Sequence, residues 1–197
     1  QDNVFKKIFK DLNINIFRGE KDNVSKRFFH AAKKFKLDHI VRITGDDILR
    51  DQTMIDTAIA SHLKKNADVT ITSNMPYGTQ TEIFTFNTIK LILDNVHVPS
   101  NTEYLEWYLQ NTRNFKVNFV KSDYVFNKNL RLTLDYIEDF TFFKKIFNYF
   151  KNKKNFNLID VIKLTNKNPK LLKINSGKKT KIKTHINKDN IVTSEAI

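Results

Sequence analysis

Between residues 2 and 150 the chain alternates short β-branched runs with stretches of helical apolar spacing, and this alternation restricts the fold more than any other feature. Val4, Phe5, Ile8, Phe9 and Leu12 share one face of a helix over 2–12, and Phe28, Phe29, Ala31, Ala32 and Phe35 do so over Val24–Phe35, which Asn23 is placed to cap. Ile14–Phe17, His39–Thr44, Ala67–Thr72, Thr81–Phe86, Lys116–Val120 and Arg131–Leu134 read as strands. Asp51–Asn66, Thr88–Asp94, Thr102–Gln110, Ile137–Phe150 and Leu158–Asn166 read as helices. Strand and helix in turn predict an α/β layered fold with a mostly parallel sheet and flanking helices. No repeat and no Pro- or Gly-rich linker interrupts it, so 1–175 is read as one domain and 176–197 as a basic tail.

Composition narrows the class. Apolar residues make up 40% of the chain and 17 are Phe, enough to build a core, while the absence of Cys excludes disulfides, thiolate zinc sites and a cysteine nucleophile. No apolar run approaches the roughly 18 residues of a membrane span. The opening residues lack the features of a signal peptide, which makes a cytoplasmic protein the expectation. The chain opens on Gln1, so a preceding segment is also expected.

Net charge is +13, which first suggests a nucleic-acid partner. The segment from Phe142 to Lys188 holds 14 Lys against one acid, Asp160, and accounts for the whole excess. Arg, whose fork suits phosphate and base recognition, is scarce. A solvated lysine face is the better reading of this segment than a nucleic-acid interface.

In open α/β sheets, ligands sit beyond the carboxyl ends of strands, so the residues that follow strands carry the functional argument. Thr44-Gly45-Asp46-Asp47 follows the run HIVRI, and Asp135 follows Arg131-Leu132-Thr133-Leu134, with Glu138-Asp139 one turn further. One carboxylate from each of two strand ends suits Mg²⁺, which binds one or two carboxylates together with water and substrate phosphates. The competing reading is structural, because Asp after a strand is also a turn or cap residue, and Glu138-Asp139 are placed to start a helix. Arg42, inside an apolar strand, needs a partner when buried: a phosphate, a substrate carboxylate or Asp46.

The segments FRGEKDNVSKRFFHAA, HIVRITGDDILRD, TEIFTF, NTEYLEWY and LRLTLDYIEDF occur in an order that resembles the cytidylyltransferase family. That family includes acylneuraminate and octulosonate cytidylyltransferases and spore-coat polysaccharide synthesis proteins, and the likeness is nearest to the spore-coat branch. The resemblance implies a Rossmann-like nucleotide-diphospho-sugar transferase fold. It also implies an enzyme that couples a sugar, usually acidic, to CMP from CTP with release of pyrophosphate. By the same likeness, Asp46 and Asp135 would bind a catalytic Mg²⁺ and Arg42 would line the reacting cleft. Thr44, Gly45, Gly19, Asn23, Arg27, Glu82, Arg131 and Thr133 would contact the nucleotide and sugar. The family also implies a homodimer.

The chain departs from the family pattern in three places. Ile48 and Ile137 stand where prolines are usual, and the basic glycine loop that grips the triphosphate does not occur. The first twelve residues resemble the helix after the family's second strand, so the domain is expected to be N-terminally truncated. The rival readings are a metal-dependent glycosyltransferase using a nucleotide-sugar donor, a basic nucleic-acid-binding module, and an inactive remnant.

Overall fold

The computed structural model describes residues 3–10, 12–95 and 115–178. In chain order the elements are α1 (Asn3–Lys10), α2 (Val24–Phe35), β1 (His39–Arg42), α3 (Gln52–Lys65), β2 (Val69–Ser73), β3 (Glu82–Thr85), α4 (Phe86–Asn95), β4 (Val117–Lys121), α5 (Ile137–Tyr149), α6 (Leu158–Lys167) and a 3₁₀ helix (Pro169–Ile174). The helix expected at Thr102–Gln110 lies outside the described residues, as does the basic tail beyond Lys178. Among the described residues no helix is long and apolar enough to cross a membrane. The chain divides into two compact units, one drawing its described residues from 3–38 and 86–95, the other from 39–85 and 115–178.

In the first unit, α2 starts where Asn23 Oδ1 accepts the Lys26 amide at 2.8 Å, which satisfies an amide that the first helical turn leaves open. It ends at Lys36, whose left-handed backbone (φ 54°) turns the chain out of the helix. The ring of Phe29 stacks on Phe86 with centroids 5.1 Å apart, which seats α2 against the start of α4. Ala32, Ile89 and Ile92 are buried there. The strand expected at Ile14–Phe17 does not form: among the described residues it has no ladder partner, and Ile14 is exposed.

The second unit is built on a four-stranded sheet in the order β1-β3-β2-β4. β1 and β2 each pair antiparallel with β3, and β4 pairs parallel with β2. Three strands therefore share a direction and β3 opposes them. The sheet is mixed, not mostly parallel in its pairings. The cause is the connection over residues 74–81, which contains no helix and is too short for the crossover that parallel neighbours require. The β1-to-β2 link does contain such a helix, α3, which lays Ile55, Ala58 and His62 inward. Asp51 caps α3 by accepting the Met54 amide at 3.1 Å, and the Tyr124 hydroxyl donates to its other oxygen.

The main core of this unit gathers Phe142, Phe143 and Ile146 of α5 with Leu158, Val161, Ile162 and Leu164 of α6, against Leu49, Met75, Leu130 and Leu132. Each such side chain contributes about 1.5–3 kcal/mol on burial. α6 starts with a reciprocal cap: Asn157 Oδ1 accepts the Asp160 amide at 3.1 Å, and Asp160 Oδ2 accepts the Asn157 amide at 3.0 Å. Lys144, Lys145, Lys151, Lys153, Lys154 and Lys163 are all exposed.

The strand expected at Arg131–Leu134 is extended chain but not part of the sheet. Its only ladder contact among the described residues is an isolated parallel bridge between Tyr77 and Arg131. Two loops hold it by main-chain bonds, Leu132 N donating to Tyr77 O at 2.7 Å and Leu134 N to Asp46 O at 3.0 Å. Extended backbone still alternates its side chains. Leu130 and Leu132 join the core, with Leu134 packed against it, and Arg131, Thr133 and Asp135 take the other side.

Candidate active site

The loop after β1 carries Thr44 through Arg50, and the segment 130–135 runs beside it. Because Leu134 N bonds to Asp46 O, Asp135 is one residue from a direct main-chain tie to Asp46. The two carboxylates singled out in the sequence thus emerge from adjoining backbone segments. Asp46 is exposed, and the Asp135 side chain retains 23% of its surface.

Arg131 and Asp139 form the support beneath Asp135. Asp139 is fully buried and accepts five hydrogen bonds: Arg131 Nε at 3.1 Å and Nη2 at 3.4 Å, Asn175 Nδ2 at 2.8 Å, and the amides of Asp135 and Tyr136 at 3.0 Å each. Burial pushes the Asp139 carboxyl pKa up, but the bonds from Asn175, Arg131 and the two amides outweigh it, and the net shift is downward. Arg131 Nη2 also bonds Asp135, and its guanidinium lies over the Tyr77 ring at 5.0 Å. Burial alone would lower the Arg131 pKa, yet Asp139 and Asp135 raise it. Asp139 at the third position of α5 starts that helix, as expected of the Glu138-Asp139 pair, and Glu138 pairs with Lys178.

A second network surrounds Asp47. Its Oδ2 accepts the Thr44 hydroxyl at 2.6 Å, and it pairs with Arg50 and bonds Thr133. Burial raises the Asp47 pKa, aided by the Asp46 charge and opposed by Thr44, Arg50 and Thr133. Burial likewise lowers that of Arg50. Arg42 finds a partner that the sequence reading did not include: Nη1 donates to Glu82 Oε2 at 2.7 Å, across the β1–β3 pair in which these residues are register partners.

Of the expected site residues, Arg42, Thr44, Gly45, Asp46, Glu82, Arg131, Thr133 and Asp135 all lie in this second unit. Glu82 and Arg131, expected to contact substrate, spend their charges on Arg42 and on the two aspartates. Gly19, Asn23 and Arg27 lie in the first unit and meet one another there. A Cβ on Gly19 would stand 2.7 Å from the Phe17 ring and 3.0 Å from Arg27 Cγ, so any larger residue there would displace one of these side chains. Arg27 Nη1 donates to the Glu20 carbonyl at 3.0 Å. The sequence reading missed Asp47 and Arg50 as a pair, and Asn175 entirely.

Beside Arg131 a pocket of about 220 Å³ opens, lined by Tyr77, Lys128, Asn129, Arg131, Asn175 and Lys178 among others. Three of these are cations and none is acidic. The Asn175 amide is oriented by two acceptors, Asp139 Oδ1 and the Arg131 carbonyl at 3.2 Å, which leaves its Oδ1 buried without a donor.

A sequence model of the Cytidylyltransferase family matches residues 1–163. The chain belongs to the cytidylyltransferase family. Its fold agrees, superimposing with a TM-score of 0.80 and 27% identity on a cytidylyltransferase from Leptospira borgpetersenii, over 91% of this chain and 76% of that one. It is 34% identical over 188 residues to an uncharacterized protein, MJ1063, of Methanocaldococcus jannaschii, covering 92% of this chain and 75% of the relative. It is 28% identical over 160 residues to the spore coat polysaccharide biosynthesis protein SpsF of Bacillus subtilis, covering 78% of this chain and 65% of that protein. The strand-end carboxylates of this cytidylyltransferase-family chain form no cluster of three or more His, Asp or Glu among the described residues.

Proposed function

We propose that this chain carries the reacting centre of a CTP-dependent enzyme that couples a sugar to CMP and releases pyrophosphate. The observation that carries this reading is the Leu134 N to Asp46 O bond, which ties the Asp46 loop to the residue before Asp135. Family membership supports nucleotidyl transfer, and a relative named for polysaccharide biosynthesis supports a sugar acceptor.

The donor set suits Mg²⁺. Two hard carboxylate oxygens from neighbouring segments, without a protein cage, are what an ion that keeps water and substrate phosphates requires. Asp46 and Asp135 would hold it, and when bound it would neutralise charge on the phosphates. The protein's own part is placement. Arg131 and the buried Asp139 keep Asp135 at the crevice, and the Asp47 network holds the Asp46 loop. In the reaction a sugar hydroxyl attacks the α-phosphorus, the bond to the β-phosphate oxygen breaks, pyrophosphate leaves and the hydroxyl proton is lost. Orienting these groups supplies most of the acceleration. The pocket by Tyr77, Lys128 and Lys178 would receive the sugar, and Lys128, which bonds the neutral Asn74 side chain while Arg131 and Lys178 pair with carboxylates, favours an acidic one. The reaction would take place in the cytoplasm, where CTP is made.

The test is pyrophosphate release from CTP by the full-length protein against a panel of sugar acids, with Asp46→Asn and Asp135→Asn alongside. CTP-dependent release that both variants abolish is expected. Transfer from a nucleotide-sugar donor without pyrophosphate release would replace this reading with glycosyl transfer.

A further inference from the structure

The Asp46 carbonyl is tied to the Leu134 amide, but the loop around it has few other constraints on the direction of the side chain. Gly45 has open space where a Cβ would be, with nothing within 4 Å, and Ile48 is exposed. The loop is closed on itself by side chains from its two ends. Arg50 Nη2 donates to Thr44 Oγ1 at 3.3 Å and to Asp47, while Thr44 Oγ1 donates to Asp47 Oδ2 at 2.6 Å. Outside the loop, Arg50 Nη1 reaches Thr81 Oγ1 at 3.5 Å, and Thr133 bonds Asp47. Both members of the Asp47–Arg50 pair keep only 12% of their side-chain surface, so solvent screens the pair little. Asp46 lies between the anchor points Thr44 and Asp47. Where its carboxylate points therefore depends on whether this closure holds.

We infer that Asp47 and Arg50 form a clasp that aims the Asp46 carboxylate, which makes Arg50 a positioning residue for the metal that Asp46 would hold. The inference rests on the reading of Asp46 and Asp135 as metal ligands. A guanidinium suits the task because one planar fork spans Thr44, Asp47 and Thr81 together, which a lysine ammonium does not do. Thr133 ties the clasp to the segment that carries Asp135, whose own side chain is held by Arg131.

The experiment is Mn²⁺ binding to the full chain, read by electron paramagnetic resonance with and without CTP, for wild type, Arg50→Gln, Arg50→Lys and Asp46→Asn. Far-UV circular dichroism and a thermal melt accompany each variant. Arg50→Gln should weaken Mn²⁺ about 10- to 100-fold, as loss of an outer support of a metal ligand does. Arg50→Lys should recover part of that loss and keep the fold even if the glutamine variant does not. In turnover, the KM for Mg²⁺ should rise while that for CTP stays near the wild-type value. If Asp46→Asn loses Mn²⁺ and both Arg50 variants bind it like wild type, the clasp is wrong and the site stands. If Asp46→Asn itself binds Mn²⁺ normally, the site reading falls and the clasp falls with it. A rise in the CTP KM alone would make Arg50 a nucleotide contact and overturn its positioning role.

Discussion

The amide of Leu134 donates to the carbonyl of Asp46 at 3.0 Å, so the two candidate metal ligands belong to segments joined by peptide groups. Their side chains are supported differently, and their variants should differ accordingly. Asp46→Asn and Asp135→Asn should each lower pyrophosphate release by about 10²-fold or more, the scale for losing one directed charge at a reacting centre. Asp46 is exposed, so its variant should melt within about 0.5 kcal/mol of wild type. Asp135→Asn removes a partner of buried Arg131 and should melt lower.

Asp139 is the more severe position for stability. It is fully buried and holds Arg131, Asn175 and two amides at once. Asp139→Asn should cost about 3–5 kcal/mol, because the Arg131 charge stays buried with one fewer counter-ion. Urea unfolding followed by circular dichroism measures this. A loss below about 1 kcal/mol, as for an exposed pair, would show that Asp135 alone suffices for Arg131.

Two glycines with positive φ allow a matched comparison. Gly78 (φ 87°) would place a Cβ 2.6 Å from the backbone of Leu132 and Thr133, whereas Gly177 (φ 80°) has nothing within 4 Å. Gly177→Ala pays only the left-handed backbone cost, about 1–2 kcal/mol. Gly78→Ala adds a collision with the segment that carries Asp135, and should both melt lower than Gly177→Ala and lose pyrophosphate release.

His62 sets a pH term far from the carboxylates in character. It is buried under α3, with Nδ1 against Thr70 Oγ1 at 2.8 Å and Nε2 against His39 Nδ1 at 3.1 Å. Burial, and then the His39 charge, hold its pKa below the ordinary value, with Asp68 pulling the other way. The unfolded chain then takes up the proton first as pH falls. The stability from neutral His62 is full above an unfolded pKa of about 6.5 and is lost as pH drops through the folded value. Urea midpoints at pH 7.5 and pH 5 should therefore show wild type losing its advantage over His62→Gln at the lower pH. A constant gap would mean that His62 does not titrate differently in the fold.

Lys128 bonds the Asn74 side-chain carbonyl at 3.3 Å and lines the pocket beside Arg131. Lys128→Ala should raise the KM for an acidic sugar about tenfold, the equivalent of 1.4 kcal/mol, and leave the KM for CTP unchanged. A neutral sugar as co-substrate should show no such rise.

Much of this fold is legible in the sequence. The apolar spacing of α2 and its Asn23 cap give both of its ends, and the β-branched runs locate the four strands to within a few residues. Local pattern misleads where an extended segment lacks a sheet neighbour, because alternation in Arg131–Leu134 reflects one buried face whether the other side meets a strand or two loops. The reversal of β3 was written in the short connection 74–81, which a parallel neighbour could not use. At the site, the strand-end rule finds Asp46 and Asp135. It does not find that Arg42 pairs with Glu82, which needs the β1–β3 register, or that Asp47 pairs with Arg50, since a three-residue spacing outside a helix carries no signal.

Residues 130–135 hang between two loops by their amides, at Tyr77 and at Asp46. A suspension made of peptide groups is indifferent to which side chains the anchoring positions carry. Substitutions around the rim of the crevice can therefore alter what it admits without moving the two acids apart, and a lineage could acquire a new substrate while keeping the same spacing between its carboxylates.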